Sequence, residues 1–112
     1  MDRYVRDGKV AILYSPRYGA GWSTWNAEYP DDELLFDPGL VSIILDWSGP
    51  ADAPELLESM EIYVTLKWPN AYTGGLADLT VGWLPVGTKF YIDETDGAET
   101  MVTEADVIWR TA

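Results

Sequence analysis

The longest purely apolar run is Val10-Ala11-Ile12-Leu13-Tyr14, and it is separated from Tyr4-Val5-Arg6 by Asp7-Gly8 and Lys9. Asp-Gly between two short hydrophobic runs favours a tight hairpin, because both central residues of such a turn need positive φ. A strand without polar alternation is covered on both faces, so the second run is expected to be central. Pro16, Gly19 and Gly21 then break the extended chain. Asp37-Pro38 predicts a helix start, with Asp at the N-cap and Pro in the first turn. Leu40, Val41, Ile43, Ile44 and Leu45 make that helix short and nearly all apolar, and Ser48-Gly49-Pro50 ends it. A second helix is expected from an N-cap at Asp52, with Glu55 three residues on. On a helical wheel Leu56, Leu57, Met60, Tyr63, Val64 and Trp68 share one face. Asp52, Glu55, Glu58 and Glu61 lie on the other, where Ile62 and Leu66 interrupt the polar surface. Residues 78–84 alternate, with Leu79, Val81 and Trp83 on one side, as a strand does. Residues 89–92 and 99–102 read as a hairpin around Asp96-Gly97, and 107–109 as a last edge strand. Helices set apart from mostly antiparallel strands predict one α+β domain over residues 1–112. Its sheet is expected to have about four or five strands, with two helices inserted after the first strands.

Charge changes this picture more than composition does. Residues 18–66 contain no Lys or Arg but ten acids, and residues 93–106 add six acids and no base. The formal net charge is −12. Like charges repel in a compact chain, so this balance points to a use outside folding, either solubility or a basic partner. Disorder is not implied, because six Trp, seven Tyr and two Phe supply a core. Direct nucleic-acid binding is disfavoured for lack of a basic footprint.

Chemistry is bounded mainly by what the chain lacks. It has no Cys and no His, which removes disulfides, thiolate metal sites, imidazole bases and the commonest zinc ligand. No apolar run reaches membrane-spanning length, and residues 1–6 have no secretory apolar segment, so a cytoplasmic location is expected. Gly19-Ala20-Gly21 lacks the Lys and the further Gly of a phosphate-binding loop. Asp93-Glu94-Thr95-Asp96-Gly97 only faintly resembles a calcium loop, since the register puts Ile92 at the first ligand position and the closing Glu is misplaced, and it reads as a charged hairpin tip. No catalytic residue, metal ligand or cofactor is assigned.

Two constellations remain. The carboxylates Glu28, Asp31, Asp32, Glu33, Asp52, Glu55, Glu58 and Glu61 form either a solubilising face or a surface for Lys and Arg of another protein. Trp22 and Trp25, in a Gly-rich loop, either cap the core or form an aromatic contact site. With Tyr18, Trp68 and Tyr72 they would serve instead as stacking surfaces for a small ligand.

The string Tyr14-Ser15-Pro16 through Gly19-Ala20-Gly21-Trp22-Ser23-Thr24-Trp25-Asn26 resembles that of a group of small proteins encoded by bacteriophages and prophages. The likeness continues at Leu35-Phe36-Asp37-Pro38, Tyr72-Thr73-Gly74-Gly75, Gly87-Thr88-Lys89-Phe90-Tyr91-Ile92 and Asp96-Gly97-Ala98-Glu99. Arg17 and Thr95 depart from the pattern, where Gly and Tyr are expected. The resemblance implies a phage setting, in which small acidic proteins bind and block host proteins, nucleic-acid-handling defence complexes included. The expectation is therefore a non-enzymatic inhibitor or modulator that engages a basic groove on a host protein. A small-ligand binder, a carboxylate enzyme with a divalent metal and a virion assembly component are the alternatives.

Overall fold

Both Asp-Gly pairs form two-residue hairpin turns. Asp7 and Gly8 have φ of 52° and 75°, and Asp96 and Gly97 have φ of 50° and 86°. This is the double positive-φ geometry that matches the twist of the flanking strands. The computed structural model describes residues 2–107 and 110–112. The first turn joins β1 (Val5–Arg6) to β2 (Lys9–Tyr14), and the second joins β4 (Phe90–Thr95) to β5 (Ala98–Thr103). Between them lie α1 (Asp31–Phe36), α2 (Pro38–Leu45), α3 (Pro54–Lys67) and β3 (Thr80–Pro85). The fold is α+β with antiparallel sheets, as the pattern predicts. Of the edge strand expected at 107–109, Ile108 and Trp109 lie outside the described residues.

The strands form two sheets rather than one. β2 is the centre of β1-β2-β3, paired with β3 from Lys9↔Pro85 to Tyr14↔Thr80, and β4-β5 pair separately. The reason lies in the two faces of β2. Ala11 and Leu13 point into a core with Trp22, Leu34, Leu40, Val41, Leu56, Met60, Val64 and Trp68. Val10 and Ile12 point the other way, into a second cluster with Leu35 and Phe36, against which Phe90, Ile92 and Met101 pack. A period of two thus divides one apolar run between two cores. The β4-β5 hairpin covers the second face and does not extend the sheet. Gly82 makes room for this: a Cβ there would lie 3.0 Å from Met101 Sδ.

Two helix starts differ from expectation. The chain just before α2, for which the pattern predicts no element, contains α1, which buries Leu34, Leu35 and Phe36. Six residues are too few to show a helical period, but Asp31, Asp32 and Glu33 in the first turn suit the helix dipole. The N-cap position of α3 is Ala53, not Asp52. The residue before a proline is pushed towards extended backbone, and Ala53 has φ −63° and ψ 132°, so the helix begins at Pro54. Asp37 caps α2 as expected, accepting a hydrogen bond of 2.8 Å from the Leu40 N–H.

Candidate functional site

The Gly- and Trp-rich loop, residues 15–26, is organised around a carboxylate from the far end of the chain. Glu99, on β5, is 1% exposed. One of its oxygens accepts from the Ser15 N–H at 2.8 Å. The other accepts from the N–H groups of Trp22 and Thr24 at 3.0 and 3.1 Å and from the Thr24 hydroxyl at 2.6 Å. The Glu99 N–H in turn donates to the Ser15 carbonyl at 2.8 Å. A buried charge is tolerated only when its lone pairs are met, and here backbone amides meet them where no cation does. Asn26, also buried, donates to the Trp22 and Tyr72 carbonyls and accepts from the Tyr72 N–H at 2.6 Å, which ties the loop to residue 72. The Gly19 N–H donates to the Asp96 carbonyl at the tip of the β4-β5 hairpin. Close approach there needs Gly97, where a Cβ would stand 2.5 Å from the Ala20 nitrogen.

The aromatic residues of the loop therefore have different roles. Trp22 is fully buried; its indole N–H donates to the Leu34 carbonyl at 2.8 Å and its ring meets Trp68 edge-on at 5.8 Å. This corrects the expectation of Trp22 as a surface anchor, since no partner can reach it in the folded chain. Trp68 is buried too. Trp25 is 37% exposed, but its ring rests on Tyr72 at 5.3 Å and its N–H reaches Glu94 at 3.2 Å. The five aromatics expected to stack on a ligand do not line a common cavity: two are core, two cover each other, and Tyr18 stands alone at 76% exposure.

Glu99 was missed because nothing distinguishes it among nineteen acids. The usable signal was alternation: Glu99 shares a strand face with Met101, which packs on the core.

A second buried carboxylate, Asp37, holds the Lys67 ammonium besides capping α2. Lys67 also lies 5.2 Å from the Trp68 ring and 5.8 Å from that of Tyr63. The hydrogen bond to Asp37 raises the Lys67 pKa against the opposing effect of burial. Burial, followed by the hydrogen bond and charge of Asp37, raises the Tyr63 pKa. Both groups keep their protons longer folded than unfolded. The stability they contribute is complete below their unfolded values, about 10 for each, and is lost as pH rises through the folded values. Urea titrations from pH 8 to 11 are expected to show stability falling above about pH 10. The fall should be shallower in Tyr63→Phe, and an identical slope in that variant would remove Tyr63 from the account.

The eight predicted carboxylates fall into two neighbourhoods. Glu28, Asp31, Asp32 and Glu33 surround the start of α1. Asp31 and Asp32 line a groove of about 720 Å³ that also holds Arg3 and Lys89. Glu33 borders a second hollow with Asp37 and Lys67. Asp52 sits in the turn before α3, and Glu55, Glu58 and Glu61 project from that helix to solvent. Among the described residues the ion pairs are Arg17–Asp78 and Lys67–Asp37, so none of the eight is paired. Arg6 donates to the Tyr4 hydroxyl, and Arg3, although it borders the groove of Asp31 and Asp32, stacks on Phe36 at 3.9 Å; Lys89 borders the same groove without forming an ion pair among the described residues. The described residues contain no group of three or more metal-ligating side chains, and no helix long and apolar enough to cross a membrane. No family model, curated protein or solved structure matches the chain.

Proposed function

We propose that this chain is a non-enzymatic inhibitor or modulator of the phage type its sequence resembles, acting in the host cytoplasm by binding a host protein through its carboxylates. The observation that carries the reading is a set of eight acids with no salt-bridge partner among the described residues, seven of them exposed, on a protein of net charge −12. Ordinary acidic surfaces relieve their own repulsion with interspersed Lys and Arg. Here Lys67 is spent on buried Asp37, and Arg3 and Arg6 lie on aromatic rings. Arg3 and Lys89 border the groove of Asp31 and Asp32 without an ion pair among the described residues, which leaves the acids of α3 with no base beside them but the engaged Lys67.

Duplex nucleic acid carries about one charge per 1.7 Å of axis, and the proteins that grip it offer basic grooves. Carboxylates one helical turn apart on a rigid helix set up a field of the same sign. A groove built for nucleic acid therefore suits this surface, and complementarity of that kind acts chiefly on association rate and partner choice.

Glu55→Lys/Glu58→Lys/Glu61→Lys is expected to slow association with the captured host protein by about tenfold or more at low salt. The difference should shrink as salt screens the charges. The measurement is capture from host lysate on wild-type and triple-variant baits, followed by association kinetics across a salt series. Equal rates for both baits at every salt concentration would remove the reading.

A further inference from the structure

The outward side of α3 combines its carboxylates with an apolar ridge left exposed among the described residues. Ile62 is 55% exposed and Leu66 80%. Among the described residues these two alone of the exposed large hydrophobics lie on an α-helix, and they stand one turn apart. With Glu61 and Thr65 they line a shallow depression of about 340 Å³. Glu58 precedes Ile62 by one turn, and Glu55 lies a further turn back. The inward side of the same helix is already filled, with Leu56, Met60 and Val64 buried. Lys67, the one base on α3, is held by Asp37. The face is thus acidic at its N-terminal end and apolar at its C-terminal end.

We infer that this face is the contact surface, and that its occupant is a cationic amphipathic helix of the partner protein. The inference rests on the binding function proposed above and specifies which part of the acidic surface is used. Charge complementarity selects the occupant. A second copy would bring the same unpaired acids against themselves at −12 per chain. A nucleic acid or an anionic membrane would also be repelled. A ridge of residues one turn apart fits the groove between side-chain rows of another helix. From Glu55 to Leu66 the face spans about 16 Å, or roughly three turns of a facing helix. Two apolar side chains of that helix would seat on Ile62 and Leu66, and Lys or Arg one and two turns away would meet Glu58 and Glu55.

The test uses three synthetic probes in a fluorescence anisotropy titration. They are a helical peptide with leucines one turn apart flanked by lysines, a scramble of the same composition, and decalysine. The patterned peptide is expected to bind at least about tenfold tighter than the scramble. Ile62→Ser/Leu66→Ser should reduce it to the scramble's affinity while leaving decalysine binding unchanged. Both positions are exposed, so the double variant should melt with the wild type; if it melts early, Leu66→Gln alone replaces it. Equal binding of pattern and scramble, or no effect of the serine variant, overturns the inference. So does a concentration-dependent dimer abolished by that variant, since the ridge would then belong to a second copy. The wider reading fails separately: its sign is decalysine binding that neither salt nor Glu55→Lys/Glu58→Lys/Glu61→Lys alters.

Discussion

Glu99→Gln is expected to lower the melting temperature by about 10 °C or more, the equivalent of roughly 3 kcal/mol for a domain of this size. The carboxylate offers acceptors on both oxygens: one to the Ser15 N–H, the other to two further N–H groups and a hydroxyl. An amide has one oxygen. Turned towards Trp22 and Thr24, it points its NH2 at the buried Ser15 N–H and leaves that donor unpaired. Turned the other way, it strands two. Each orphaned buried donor costs about 1–3 kcal/mol, and the charge-assisted character of the remaining bonds is lost as well. Glu94→Gln is the matched control on the same hairpin. Glu94 is exposed, and its bonds to the Trp25 indole N–H and the Gly97 backbone N–H are long, at 3.2 and 3.4 Å, so its loss should cost under about 1 kcal/mol. Differential scanning calorimetry of the pair checks the assignment; equal melting temperatures for the two variants would mean that Glu99 does not anchor the loop.

Trp22→Ala is expected to destabilise the fold by about 3–5 kcal/mol, and Trp25→Ala by about 1 kcal/mol or less. Trp22 is fully enclosed by the core that joins β2 to the helices, and its removal would open a cavity between Leu34 and Trp68. Trp25 leaves solvent on one side and Tyr72 on the other. Trp22→Phe keeps most of the volume but leaves the Leu34 carbonyl without its donor, and should fall between the two. Chemical denaturation with the m-value held as a check on two-state behaviour measures all three. Similar midpoints for Trp22→Ala and Trp25→Ala would return the loop to the class of open aromatic surfaces. The ordering also separates fold from function: neither tryptophan lies on α3, so binding by the outer face of that helix should survive Trp25→Ala.

Much of the architecture was legible because its signals are local. Asp-Gly selects its turn through backbone sterics that need no distant partner, and both turns form where expected. Asp37-Pro38 starts a helix through a bond made three residues away. The inward residues of α3 follow from period alone: Leu56, Met60 and Val64 are buried, as is Trp68 just past its end, and Ile62 and Leu66 are on the wet side. The helix of residues 31–36 was not legible, because a single turn and a half has no measurable period. The split into two sheets was hidden for a different reason. Hairpin β4-β5 has the same local pattern whether it extends a sheet or packs across one, and the choice depends on Met101 fitting over Gly82.

The candidate site divides in the same way. The excess of acids over bases was readable, since residues 18–66 hold ten acids and no Lys or Arg. Which acids are structural was not. Glu99 and Asp37 have the same chemistry as Glu58 and Glu61, yet the first two are enclosed by donors from 84 and 30 residues away. The sequence by itself determined the turns, the amphipathic helix and the excess of negative charge, because these follow from dihedral preferences, short periods and composition. Only the tertiary structure decided which tryptophan is core, which carboxylates are buried and which bases are already occupied. Burial and pairing are relations between distant residues, set by how the layers close on one another.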